Sequence, residues 1–233
     1  MNKSTLREVM TILLMIVSIT GVMSTLPFLI PYQILLTAQR KKIGYRLPIE
    51  HTVAVFIFVY YLAFVFIITE IPSVRDIFHN SFGIPFPRVS SFSPEINLIP
   101  FRWITEGIRP YIENILLFVP LGFLLPCVWK KYEVLSRTVL SGFALSLIIE
   151  LSQMFDGRIT DIDDLLMNTL GAFIGWSVFW LLKAKLTKFQ SKFALQRSDI
   201  GKVPLLLREE ARLCMVIACA GIFFFFPFLR ALL

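Results

Sequence analysis

Apolar residues fall along the chain in runs of about twenty, interrupted by short polar or basic stretches. That length predicts helices that cross a membrane rather than strands or soluble amphipathic helices. The runs cover about Met10 to Leu36, His51 to Ile71, Tyr111 to Trp129, Val134 to Phe155, Ile162 to Leu182 and Arg212 to Leu229. With no internal repeat and no low-complexity linker, about six spans describe an all-α, polytopic transmembrane helical bundle. Pro27 and Pro31 are expected to kink the first span or end it early. Lys3 and Arg7 ahead of it have the look of a signal peptide, but the run is too long and lacks a small-residue cleavage pattern.

Between the second and third runs lies the longest stretch without a span, Pro72 to Tyr111, rich in Pro, Ser and aromatics. Its small apolar patches, Ile84, Phe86, Ile96, Leu98, Ile99 and Phe101, predict a loop lying on the extracytoplasmic membrane surface. Within it Arg102, Glu106, Arg109 and Glu113 share one helix face with two opposite-charge i,i+4 pairs. Pro110 inside that pattern marks a break or the start of a new helix. A solvated interfacial face accounts for these charges without a ligand.

Composition supports the membrane reading. Of 233 residues, 56% are hydrophobic, 14% aromatic and only 17% charged, whereas soluble domains are about 25% charged. The net charge of +7 would raise nucleic acid as a partner in a soluble protein. Here the basic residues cluster in loops beside spans, and no basic stripe is interleaved with stacking aromatics, so no nucleic-acid partner is expected. Fifteen of the 23 basic residues fall on one side of a six-span map, in loops 37–50, 130–134 and 183–211 and their flanks. That side is read as cytoplasmic, with loops 72–111 and 156–161 and both termini outside, although Lys3 and Arg7 pull the other way. Cys127, Cys214 and Cys219 lie in or beside apolar runs without metal-ligand spacing, and read as small core hydrophobes rather than a disulfide framework.

The fourth and fifth runs carry the polar groups that invite chemistry. Gly142, Ser146, Glu150 and Gln153 form one stripe at i, i+4, i+8, i+11, and Asp164, Asn168, Gly171 and Gly175 form another. Gly171 and Gly175 also make a small-xxx-small pattern that permits close helix approach. A tight turn joins the two runs, so the stripes can face each other, with Asn114 at the outer end of the third span beside them. The expected pocket is lined by Asn114, Glu150, Gln153, Arg158, Asp161, Asp164 and Asn168. Ionisable groups inside a span are expensive and mark a functional site by default.

Bland explanations compete. Thr160 and Asp163 look like a helix start, and Glu150 and Gln153 could be interhelical glue satisfied by Asn168 or Arg158. Glu150, however, lies at a helix end where the dipole is unfavourable to negative charge, so something else must hold it. Arg158 is one candidate. A divalent cation on Glu150, Asp161 and Asp164 is chemically allowed, as is a carboxylate among these three acting as general acid or base. No cofactor is otherwise expected. No Ser–His–Asp arrangement, Gly-rich phosphate loop or HExxH is visible, and the only histidines, His51 and His79, are distant in sequence from the hairpin, although His79 sits in the outside loop. Arg88, Arg102, Arg109 and Arg158, all outside, suit a phosphate or carboxylate headgroup.

Four segments in register resemble the VanZ family of bacterial membrane proteins, associated with resistance to teicoplanin-type glycopeptides. They are Asn97-Leu98-Ile99-Pro100-Phe101; Glu113-Asn114 through Pro120-Leu121-Gly122; Glu150-Leu151-Ser152-Gln153; and Asp161 to Asp164 with Asn168 to Gly171. The resemblance is tight over roughly Ile96 to Gly175, with residues 51–233 family-like and 1–50 an added span and basic loop of one 1–233 domain. It implies that Asn114, Glu150, Gln153, Asp161, Asp164 and Asn168 form the functional site in a bacterial plasma membrane, while Asp163 is not required by the pattern. Two functions stay open: lowering antibiotic susceptibility by acting on the drug or its lipid-linked cell-wall target at the outer leaflet, or an enzyme acting on envelope lipids. A transporter is disfavoured, since the polar groups lie toward one face and no interrupted helices flank the bilayer centre. The expected partners are membrane lipids and the glycopeptide or lipid-linked precursor.

Overall fold

Hydrophobic runs of this length have one way to satisfy their backbone in lipid, which is helix, and the computed structural model is built of helices. It describes residues 3–42, 48–74, 96–97, 100, 107–154, 160–193 and 205–231. The elements are α1 (Lys3–Lys42), α2 (Ile49–Ile68), β1 (Ile96–Asn97), α3 (Arg109–Val128), a 3-10 turn (Lys130–Glu133), α4 (Leu135–Gln153), β2 (Thr160–Asp161), α5 (Ile162–Phe193), α6 (Leu205–Arg208), α7 (Glu210–Phe224) and α8 (Phe226–Ala231). Among the described residues five helical segments are long and apolar enough to cross a membrane: Ile19–Lys42, Ile49–Ile68, Arg109–Val128, Leu135–Gln153 and Ile162–Thr187.

The expected sixth span, Arg212 to Leu229, is helical but divided into α7 and α8 at Phe225. Pro227, at the second position of α8, has no N–H to continue the ladder from α7. Pro27 and Pro31 behave differently. The helix runs through both and on to Lys42, as proline within spanning helices is tolerated when neighbours support the backbone. Pro110 sits in the first turn of α3, so a new helix does begin there, and Arg109 pairs with Glu113 at 2.7 Å on an exposed surface. Most of the surface loop expected over residues 72–111, including Arg88, Arg102, Glu106 and His79, lies outside the described residues.

Helix α3 and helix α5 approach most closely. A Cβ at Gly122 would land on the Ala172 carbonyl, one at Gly171 on the Ile115 carbonyl, and one at Gly175 on the Val119 carbonyl. Without a hydrophobic drive between spans in lipid, such backbone-to-backbone packing is what holds helices together. The small-xxx-small pair therefore serves α3, not the polar partner α4. On the other flank α1, α2 and α7 pack together around Phe58, Leu62 and Phe66 of α2 and Cys214 and Ala218 of α7. The outward faces stay apolar: Leu116, Leu140 and Val216 are 62%, 63% and 63% exposed.

Side-chain bonds tie the helix ends into two polar layers. At one end Tyr111 (α3), Gln153 (α4), Asp163 (α5) and Thr69, just past α2, come together. At the other, basic end lie Arg40 (α1), His51 (α2), Trp129, Lys131 and Glu210 (α7). The amide of Gln190, far down α5, donates to the carbonyl of Pro126 at 3.0 Å and so satisfies an end carbonyl of α3. Lys183 reaches Glu133 at 2.8 Å.

Candidate functional site

The site is assembled by the return of the chain from α4 into α5. Thr160 and Asp161 pair in parallel with Ile96 and Asn97, which draws the segment preceding α3 over the same end of the bundle. The next residues begin α5, and Asp161 is its cap: its Oδ1 accepts from the backbone N–H of Asp163 at 2.9 Å. Its Oδ2 accepts from the Asn97 amide at 3.0 Å. Capping was the open alternative for Thr160 and Asp163, and neither side chain takes it. Thr160 instead donates its hydroxyl to the Glu150 carbonyl at 3.1 Å, covering an end carbonyl of α4. Asp163 is turned inward, 2% exposed, and accepts from the Tyr111 hydroxyl at 2.5 Å.

Glu150, also 2% exposed, lies in the last turn of α4. Its Oε2 accepts from the backbone N–H of Asp161 at 3.1 Å. The carboxylates of Asp164 and Asp161 both lie within electrostatic reach of it. Among the described residues no cation pairs with Glu150. Arg158, expected to neutralise it, lies outside the described residues.

One turn into the bundle, Asn168 of α5 donates to the Ser146 hydroxyl of α4 at 3.0 Å. The polar halves of the two stripes thus do face each other. The carbonyl oxygen of Asn168 is buried with no hydrogen-bond partner among the described residues. Such an orphaned acceptor costs about 1–3 kcal/mol. On the α3 side Asn114 donates to Asp164 at 2.5 Å. Gln153 points away from the hairpin, its amide donating to the Thr69 carbonyl at 2.9 Å, and so ties α4 to the end of α2.

Asn114, Glu150, Asp161, Asp164 and Asn168 are therefore gathered at one end of three helices, with Gln153 on their edge. Among the described residues no group of three or more His, Cys, Asp or Glu side chains has the arrangement of a metal site. Three participants escaped the sequence reading. Tyr111 and Asn97 carry no helical-period signal, and Asp163 looked like a first-turn acid. Proximity of Tyr111 to Asp163 rests on the α3–α5 glycine contact.

A second buried polar group was not anticipated. Glu210 at the start of α7 meets His51 at 2.5 Å and the Trp129 indole N–H at 2.9 Å, and Tyr32 donates to it at 3.4 Å. It joins α1, α2, α3 and α7 at the basic end. A histidine opening the second apolar run and a glutamate two residues ahead of the last run were the available signal.

A bundle of apolar spans with a carboxylate–amide layer at one end and basic residues at the other is a multi-pass membrane protein. Residues 56–183, more than half of the chain, match the VanZ/LLP1 family, and the protein belongs to that family. It is also similar to Protein VanZ of Enterococcus faecium, 36% identical over 87 residues. That stretch covers 37% of this chain and 53% of the relative, so the chain spans about half the length of the curated relative it matches. No solved structure matches.

Proposed function

We propose that this VanZ-family protein lowers susceptibility to teicoplanin-type glycopeptides by acting on the drug or its lipid-linked cell-wall target at the outer leaflet of the bacterial plasma membrane. The excess of Lys and Arg at the opposite end favours an outward-facing carboxylate–amide layer. One observation carries the reading: Glu150, without a cation among the described residues, shares its layer with Asp161, Asp164 and the unpaired Asn168 carbonyl. Three acids and an amide acceptor in one layer are suited to an ammonium or a cluster of N–H donors. Asn114 and Asn97 hold Asp164 and Asp161 in place.

The test is teicoplanin susceptibility of a sensitive strain with and without the protein, using wild type, Asp164→Asn and Glu150→Gln at matched membrane levels. Reduced susceptibility with wild type that both substitutions abolish supports the reading. No shift with wild type overturns it.

Glu150, with no cation on it among the described residues, also favours a second reading, a carboxylate-dependent enzyme on envelope lipids or lipid-linked precursors, with Glu150, Asp161 or Asp164 as acid or base. Purified protein would then turn over such a lipid, Glu150→Gln would stop it, and a chelator would show whether a divalent cation takes part. Full effect with Glu150→Gln counts against the enzyme and excludes Glu150 as its acid or base.

A further inference from the structure

From the basic end a groove of about 970 Å³ runs between α4 and α7, lined by none of the residues of the carboxylate–amide layer. The two helices flank it without packing closely on each other, and Phe66 of α2 contributes to its floor. Both run in the same direction from the basic end. Leu140, Ala144 and Ile148 of α4 lie at i, i+4, i+8 along one wall, and Val216, Ala220 and Phe224 of α7 do the same along the other. From Arg137 to Ile148, or from Arg212 to Phe224, a helix rises about 16–18 Å. That is about one leaflet of a hydrocarbon core.

The polar lining is gathered at one mouth. Glu209 draws three cations together: Arg212 at 2.9 Å, Lys131 at 3.4 Å and Arg208 at 3.7 Å. Lys131 is braced by the Arg208 carbonyl at 2.6 Å, and Arg137 donates to the Lys131 carbonyl at 3.3 Å. Four cations around one carboxylate leave the mouth strongly positive. The guanidinium side chains of Arg208 and Arg212 remain 51% and 74% exposed, free to bind. Burial lowers the pKa of the Lys131 ammonium, Glu209 opposes the shift, and Arg212 and Arg137 add to it. An anion at the mouth would relieve both the desolvation and the crowding.

From this juxtaposition we infer that the α4–α7 groove is a binding site for one anionic phospholipid, its phosphate at Lys131, Arg137, Arg208 and Arg212 and an acyl chain along the Ala144–Ala220 trough. Guanidinium groups match phosphate oxygens in paired hydrogen bonds. Basic recesses between spans beside the cytoplasmic surface are where acidic headgroups are held. Ala144 and Ala220 leave the width that an acyl chain needs. The site is independent of the susceptibility reading, because it shares no residue with the carboxylate–amide layer.

The test is lipid retention by the full-length protein in detergent, by native mass spectrometry, titrated with phosphatidylglycerol, phosphatidylcholine or inorganic phosphate. One phosphatidylglycerol should bind in preference to phosphatidylcholine. The Arg208→Gln/Arg212→Gln pair should weaken it roughly thirty-fold. Arg137→Gln, which leaves the Glu209 cluster intact, should weaken it less. Ala144→Phe should reduce phosphatidylglycerol binding by filling the trough, and Asp164→Asn should leave it unchanged. Equal retention of both lipids, or phosphatidylglycerol binding unaltered by the arginine pair, would reduce the groove to ordinary lipid contact and overturn the inference. So would inorganic phosphate displacing the lipid at matched concentration, or a dimer, lost with Ala144→Phe, in place of any bound lipid.

Discussion

The Oε2 atom of Glu210 accepts from Trp129 and lies 2.5 Å from the Nε2 atom of His51, 159 residues earlier in the chain, with both acid and imidazole side chains fully buried. In a membrane bundle such an acid cannot be left alone, so α2, α3 and α7 are locked in one relative position at the basic end.

Glu210→Ala is accordingly expected to be among the most damaging single substitutions. Loss of the shared acceptor should cost about 3 kcal/mol or more, as breaking other buried pairs does. Glu210→Gln, which keeps a carbonyl acceptor, should cost less. Thermal unfolding in detergent would measure both, and equal, small losses would remove this group from the account of the fold.

Packing of α3 on α5 sets the carboxylate–amide layer, since it places Tyr111 and Asn114 over Asp163 and Asp164. A Cβ at Gly122 or Gly175 meets facing backbone rather than a mobile side chain. Gly175→Ala should destabilise by about 1–3 kcal/mol or force the helices apart. The same susceptibility assay should then lose its effect although every polar side chain is retained.

Tyr111→Phe removes one hydroxyl that donates to buried Asp163. A cost of about 1–3 kcal/mol is expected, because the carboxylate loses a donor it cannot replace with bulk water. Tyr61→Phe, which removes a 2.7 Å bond to the Leu117 carbonyl elsewhere in the bundle, is the comparison. It should cost about 1 kcal/mol.

Ser146 and Asn168 separate glue from function. If the pair served only to join α4 and α5, replacing both by apolar residues, Ser146→Ala with Asn168→Leu, would be nearly neutral for stability, since no orphaned polar atom remains. The double variant is expected to stay folded, within about 1 kcal/mol of wild type by unfolding in detergent, and yet to lose its effect on susceptibility. Retained effect would return Asn168 to a structural role.

Asp161 is expected to matter more for stability than Thr160. Asp161→Ala loses the α5 cap, worth about 1 kcal/mol, together with the Asn97 contact. Asp161→Asn preserves an oxygen for the cap and should recover most of the loss. The Thr160→Val substitution gives up a single bond to the Glu150 carbonyl.

The helical class, the span positions and most of the carboxylate–amide group were legible in the chain because each depends on local order. Twenty apolar residues must become helix in lipid, and polar residues at a period of 3.6 on two hairpin-linked helices must fall on a common face. Glu150, Asn168 and Ser146 obey that rule. Asn114 and Asp161 joined them by place in the chain, at the outer end of the third span and in the turn, and the resemblance over Ile96 to Gly175 pointed to the same two residues. Periodicity could not say which neighbour each face would meet. Gly171 and Gly175 share a stripe with Asn168 yet turn to α3, because only glycine admits the backbone that close. Gln153 shares a stripe with Glu150 yet bonds to the end of α2. His51, Trp129, Tyr32 and Glu210 came together only through the packing of four helices, since contacts between residues so far apart in the chain leave no repeat in it. What the amino-acid order determined was which segments are helices and which faces are polar. The tertiary structure alone decided which of those faces meet, because mutual helix positions are set by close packing and buried hydrogen bonds that no single segment contains.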